Sequence, residues 1–223
     1  MDNRGEKVPG VPIKRGKKVP PKPIPERKYE QFKYRLEEIS REYAERNLML
    51  FYLAVATGYR MQDLMELTIG EINEALEEEK FIIQEKKQYR EWQKYIKKNP
   101  RSNRKPPQKR EAHIKPKLRK LLKEYCKNKP KSSYAFESKK GGDALTAKSY
   151  SQILSRVAKS LGLKNISGHS LRKTYATRLY EATRNLEYVR IALGHTNIET
   201  TKKYLGLNNE VRDEAAKVAD DKL

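Results

Sequence analysis

Leu193-Gly194-His195-Thr196-Asn197-Ile198-Glu199-Thr200-Thr201-Lys202-Lys203-Tyr204 is the stretch whose reading decides the fold. It lacks the two-residue alternation of a strand. A helix reaching Leu193 should stop at Gly194, because glycine accepts the left-handed conformation that follows a last helical turn. Thr196 and Glu199 have the spacing of a capping box, so a new helix is expected over about 197–205. The stretch reads as helix, short turn, helix, with His195 on the turn and Tyr204 nine residues later. Asn185 can cap the earlier helix, expected over about 186–193.

Outward from there the pattern stays helical. Helices are expected at about 170–181, 146–161 and 208–220, and at 116–127, where Pro116 fits the first helical position. Nearer the start, charged residues with spaced apolar ones give a helix over 30–46. A more buried helix over 48–56 ends at Thr57-Gly58, and another runs from Met61 to about Leu67. Two short runs read as strands, Phe81-Ile82-Ile83 (extending to Gln84) and Ala112-His113-Ile114. The fold class is α+β and predominantly α-helical, with one small antiparallel β-sheet or hairpin in the first half.

Residues 1–27 read as a basic, proline-rich tail, disordered when free, because proline removes backbone donors and little here can be buried. Residues 28–223 form the folded domain. Within it, 88–111 reads as a long basic hairpin insertion broken by Pro100, Pro106 and Pro107. Over 86–110 the cations Arg90, Lys94, Lys97, Lys98, Arg101 and Arg104 follow Lys86 and Lys87, against the single acid Glu91. The bland reading of both basic segments is a solvated linker or loop; the functional one is an arm that tracks phosphates.

The whole chain has 50 Lys+Arg against 29 Asp+Glu, a formal charge of +21, and 36% hydrophobic residues. Like charges at this excess repel one another in a compact state, and a polyanion is the natural partner. No run of about 18 apolar residues is present, so no membrane span or membrane partner is expected. No charged-then-apolar leader opens the sequence, and the lone Cys126 cannot form an internal disulfide; a cytoplasmic setting is expected.

Four local patterns carry possible chemistry: Thr57-Gly58-Tyr59-Arg60, His169-Ser170-Leu171-Arg172, Leu193-Gly194-His195, and Tyr204. Each alone has a dull reading as a surface cation, a structural histidine, a helix end or one of 14 tyrosines. Their order gives them force. Metal-free phosphoryl transfer on DNA needs forked cations on the non-bridging oxygens, which Arg60 and Arg172 can supply. It needs an in-line nucleophile and groups that move protons. His169 and Arg172 are three apart and so neighbours on one helix. Tyrosine suits a reversible step, because phenolate leaves phosphorus far more readily than an alkoxide does. With histidines only at 113, 169 and 195 and one cysteine, no zinc-type cluster is visible, and no cofactor is expected.

These segments resemble the tyrosine recombinases, or phage integrase family. The carrying residues are Ala56-Thr57-Gly58-Tyr59-Arg60-Met61-Gln62-Asp63-Leu64, Gly168-His169-Ser170-Leu171-Arg172-Lys173-Thr174-Tyr175-Ala176-Thr177, and the 193–204 stretch. The resemblance runs from about Tyr29 to the C-terminus and implies that family's catalytic domain, acting as a site-specific recombinase of the integrase, invertase or resolvase kind. It implies Arg60, His169 and Arg172 at the phosphate, His195 in the second His/Trp position, and Tyr204 as nucleophile forming a 3′-phosphotyrosine. Asp63 stands where many members have a supporting acid. It also implies a lysine on a hairpin after the first arginine as general acid. Lys86 is favoured, with Lys87 second.

Duplex DNA is the implied partner, with DNA contacts expected from Lys87, Arg90, Lys94, Lys97, Lys98, Arg101, Arg104 and Lys173. A tetramer on two DNA sites is implied, with 207–223 donating subunit contacts and accessory DNA-bending proteins as further partners. The family usually carries a separate N-terminal clamp domain; residues 1–27 read only as the basic tail, which fits either a trimmed chain or a minimal single-domain member. The rival readings are a type IB topoisomerase-like or telomere-resolvase enzyme, which share nucleophile and clamp, and a catalytically silent DNA-binding regulator.

Overall fold

The computed structural model describes residues 19–221, the side chains of 208–214 excepted. In order the elements are α1 (Tyr29–Ser40), α2 (Ala44–Thr57), α3 (Met61–Met65), α4 (Ile69–Glu77), β1 (Lys80–Ile83) and α5 (Lys86–Lys98). Then follow β2 (Arg110–His113), α6 (Pro116–Cys126), α7 (Ala147–Ser160), α8 (Gly168–Thr183), α9 (Leu186–Leu193), α10 (Ile198–Leu205) and α11 (Leu207–Asp220). The helical α+β class holds. None of the described helices is long and apolar enough to cross a membrane.

Helix α2 is the hub. Its Leu50, Phe51 and Leu53 are fully buried, and it packs on α1, α6 and α8. Phe32 of α1 stacks on Phe51 with ring centroids 5.8 Å apart. Tyr150 of α7 is fully buried and donates its hydroxyl to the Asn47 carbonyl at 2.7 Å. Each such large apolar side chain contributes about 1.5–3 kcal/mol on burial. A second, much smaller core, Ala176, Val189 and Leu193, joins α8 to α9, with Tyr204 and Leu205 packed against it.

β1 and β2 pair antiparallel, with Phe81 opposite Ala112 and Ile82 opposite Glu111. The connection between them is not an irregular hairpin loop. Residues 86–98 form α5, which stops at Lys98 ahead of Pro100, as the restriction on residues preceding proline requires. Trp92 then donates to the Arg104 carbonyl (2.8 Å), and Arg104 lies 4.9 Å over the Tyr95 ring, folding 99–104 back along the helix.

Two elements depart further from the sequence reading. Helix α4 is additional, opened by a full capping box between Thr68 and Glu71. The expected tail does not run loose to residue 27. Ile24 is 3% exposed, its N–H donates to the Thr174 hydroxyl at 2.9 Å, and Lys22 N–H donates to the Asn165 carbonyl. Glu26 pairs with Arg178 through both carboxylate oxygens at 2.9 Å. One proline-flanked isoleucine, with an acceptor at Thr174 and a donor at Arg178 on α8, is enough to dock a strap. Residues 1–18 of that tail lie outside the described residues.

Candidate active site

Two helix ends build the floor. Helix α2 ends at Gly58 (φ 62°) and α9 at Gly194 (φ 64°), both left-handed as expected. Side chains at these positions would be strained and obstructed. A Cβ on Gly58 would lie 2.3 Å from Tyr175 Cδ1, and one on Gly194 would lie 2.9 Å from Arg110 Cδ. The closely approaching helix ends present carbonyls to Arg172, which donates to Gly58 O at 2.7 Å and Leu193 O at 2.6 Å. Helix C-termini carry partial negative charge, so a guanidinium is favoured there. This explains how Arg172 stands only 3% exposed.

Arg60 enters from the start of α3 and Arg172 from α8. Both pair with one carboxylate, Glu85: Arg172 Nη1 lies 3.0 Å from Oε1, and Arg60 is in ion-pair contact with Oε2. Burial, followed by the positive charge of Arg172, lowers the Arg60 pKa to about 10, which leaves it cationic at neutral pH. Burial likewise lowers Arg172.

Tyr204 arrives from α10. Its hydroxyl is buried and has no hydrogen-bond partner of good geometry among the described residues. Desolvation raises its pKa, and the positive charges of Arg172 and Arg60 partly offset that. The His195 ring meets the Tyr204 ring edge-on, centroids 5.4 Å apart. His195 Nδ1 is 3.0 Å from the Thr201 hydroxyl, leaving Nε2 as the ring nitrogen without a described bond. Desolvation, then Arg172 and Arg60, lower its pKa to about 4, so at neutral pH it is an uncharged imidazole. His169 sits at the exposed rim, and partial burial with Arg172, Arg60 and Lys87 nearby lowers its pKa as well.

The five residues Arg60, His169, Arg172, His195 and Tyr204 are thus gathered in one place, although they come from α3, α8, α10 and the α9–α10 turn. Lys86 is not gathered with them. Its ammonium pairs with Glu66, and its N–H donates to Asp63 Oδ1 at 3.0 Å. Lys87 is 68% exposed, and its charge reaches His169. Lys173 lies 6.0 Å from the Tyr204 ring centroid. Arg90, Lys94, Lys97, Lys98, Arg101 and Arg104 are all exposed on α5 and the segment after it. Gln88 of α5 reaches Gly194 O at 3.3 Å, which sets the basic helix against the His195 turn.

One local expectation is corrected. The cap of α10 is Asn197, whose Oδ1 accepts from Thr200 N–H at 2.8 Å, and not a Thr196–Glu199 box; Glu199 pairs with Lys202 instead. Asn185 does cap α9, accepting from Glu187 and Tyr188 N–H. In α11, within the 207–223 segment expected to donate subunit contacts, the side chains of 208–214 lie outside the described residues, while Val218 is exposed.

Sequence reasoning missed Glu85 and Arg110. The signals were faint: a lone acid entering a basic run, and an arginine opening a strand. Both are buried, and Arg110 Nη1 is 3.2 Å from Glu85 Oε1.

Several known proteins are similar to this chain. The chain is 28% identical over 114 residues to the probable integrase/recombinase YoeC of Bacillus subtilis (strain 168), covering 51% of this chain and 63% of that protein. It is 39% identical over 69 residues to the tyrosine recombinase XerC of Roseiflexus castenholzii, covering 31% of this chain and 22% of XerC. The chain therefore spans less than two thirds of the length of either relative. Among solved structures, the XerH site-specific recombinase bound to a palindromic difH substrate shares the fold at a TM-score of 0.62 and 24% identity, over 96% of this chain and 57% of that one. The Tn1549 transposon integrase in complex with circular intermediate DNA does so at 0.62 and 19%, over 84% and 63%. The description of the phage integrase family matches residues 26–210, and the chain belongs to that family.

Proposed function

We propose that this chain is the catalytic part of a site-specific DNA recombinase that breaks and rejoins duplex DNA through Tyr204. The observation that carries the reading is the buried Tyr204 hydroxyl, within reach of the Arg172 guanidinium and beside the Arg60 charge and the His195 ring.

In this reading Arg60 and Arg172 hold the non-bridging oxygens of the scissile phosphate, where charge accumulates in the transition state. The Tyr204 oxygen attacks phosphorus, its proton passes to a neutral imidazole, and the bond from phosphorus to the 5′ oxygen breaks. That oxygen leaves as a hydroxyl after taking a proton, for which Lys87 is better placed than Lys86. Attack by another 5′ hydroxyl on the 3′-phosphotyrosine reverses the sequence and rejoins DNA without spending a nucleotide. Burial and neighbouring arginines keep His169 and His195 uncharged at neutral pH, so each can accept a proton, and the negative charge of a bound phosphate raises the basicity that the arginines lower. The exposed cations of α5 and its following segment supply phosphate contacts, and assembly is a tetramer on two sites.

The test uses a pool of nicked duplexes of randomised sequence, which trap the covalent intermediate because the short 5′ product diffuses away. Wild-type protein should give a DNA adduct that survives denaturing electrophoresis, and Tyr204→Phe should give none. A wild type that yields no adduct from any sequence, while still binding DNA, would sink the enzymatic reading.

A further inference from the structure

Three guanidinium groups converge on one buried carboxylate. Glu85 is only 2% exposed at its side chain, with Arg172 and Arg110 on Oε1 and Arg60 on Oε2. We infer that Glu85 is a positioning residue: it sits behind the phosphate clamp, sets how Arg60 and Arg172 face the phosphate, and is itself held in place by Arg110. This rests on the reading of Arg60 and Arg172 as that clamp.

The donor inventory supports the placement. A guanidinium has five N–H groups. Arg172 commits three, to Gly58 O, Leu193 O and Glu85 Oε1, all on its inner side. Nε and one Nη2 hydrogen have no bond of good geometry among the described residues, and the Tyr204 hydroxyl is within reach of the Arg172 side chain, so an incoming anion would meet both. Arg110 faces inward altogether. It donates to Thr57 O (3.0 Å), Gly58 O (3.4 Å) and Glu85, and its guanidinium lies 4.4 Å over the Tyr59 ring. At 8% exposure it cannot reach a DNA backbone without leaving this nest.

A carboxylate beside a phosphate site opposes anion binding, so affinity does not explain Glu85; geometry does. Without it, three like charges would be buried together with nothing to set their spacing. A clamp displaced by about 1 Å loses roughly 100-fold in rate. Glu85 is also tied to the main chain of the site. It is the residue before α5, the next N–H donates to Asp63, and Asp63 lies three residues after Arg60, which closes a ring of contacts around the clamp.

Glu85→Gln keeps the shape and removes the charge. Binding to a non-specific duplex should change by less than about fivefold, while adduct formation on the best duplex from the pool should slow by about 100-fold. A residue needed only for folding would lower both together. Arg110→Gln should also slow cleavage. The double variant Glu85→Gln/Arg110→Gln, which restores the net charge of the cluster, should be less impaired than the two single effects multiplied.

Phenylglyoxal labelling, followed peptide by peptide by mass spectrometry, reads the clamp without DNA. Arg60 should label several-fold faster in Glu85→Gln than in wild type, with melting still cooperative. Wild-type cleavage speed in Glu85→Gln, or unchanged Arg60 labelling, overturns the positioning role. Absence of adduct from wild type overturns the proposed function instead, and the labelling result still decides the placement of Glu85.

Discussion

The two sides of the site are built differently. Arg60, Glu85 and Arg110 stand against the large core, tied to the main chain of α2 and the sheet. Tyr59 locks the same corner, its hydroxyl 2.7 Å from Arg110 O and 3.2 Å from Phe81 O. His195 stands on the α9–α10 turn and Tyr204 on α10, beside a small core of three fully buried residues from α8 and α9, and the outer face of α9 exposes Tyr188 and Ile191. Arg172 bridges them, bonded to Gly58 O on one side and Leu193 O on the other. The groups proposed to bind phosphate are therefore anchored more deeply than the group proposed to attack it. Such a division suits a nucleophile that must engage, release and engage again while the anion site keeps its shape.

The strongest challenge to this contrast is Gly58→Ala. It combines a left-handed alanine with a clash against the Tyr175 ring, so it should cost about 2–5 kcal/mol in urea unfolding. Gly194→Ala combines a left-handed alanine with a looser contact, 2.9 Å from the Arg110 side chain, and should cost less, about 1–3 kcal/mol. Equal losses would erase the distinction between the two corners. Next come two leucines, both fully buried. Leu122→Ala in α6 and Leu193→Ala should each lose about 2–5 kcal/mol. At a temperature where both remain folded, only Leu193→Ala should slow adduct formation, because loosening the small core shifts the end of α9, whose residue-193 carbonyl holds Arg172.

A smaller effect comes from His195. Its pKa is near 4 when folded and about 6.5 unfolded. Between those values the unfolded chain binds the extra proton, so stability rises with pH across the window and falls as pH drops from 6.5 toward 4. His195→Asn should therefore lose less stability than wild type over that range in urea midpoints. Identical pH slopes would mean that the imidazole is not desolvated. A further small effect is Arg178→Ala, which removes a two-pronged pair with Glu26 and the guanidinium 3.8 Å over the Tyr29 ring and should cost about 1–2 kcal/mol.

Much of this was legible in the sequence, for identifiable reasons. Gly58 and Gly194 could be read as helix ends because backbone conformation is a local property. Arg60, His169, Arg172, His195 and Tyr204 could be read because their motifs and order recur together. Glu85 and Arg110 could not, because their meaning lies in contacts 25 and 87 residues away. Helix α5 was obscured by three prolines that all fall beyond its end, and by an apolar face of only Tyr89, Trp92 and Ile96. Lys86 illustrates a limit of motif logic: spacing brings a lysine to the right turn, but Glu66 decides where its ammonium points.

The docked strap has a practical corollary. Ile24 N–H is hydrogen-bonded to the hydroxyl of Thr174, two residues along the same helix from Arg172. Force on the chain ahead of Lys22 would thus be delivered to α8 itself, as through a bell-rope. Surface immobilisation or a bulky fusion at that end would load the reaction centre mechanically, whereas a label on the α6 surface, at Lys120 or Lys123, would leave it unburdened.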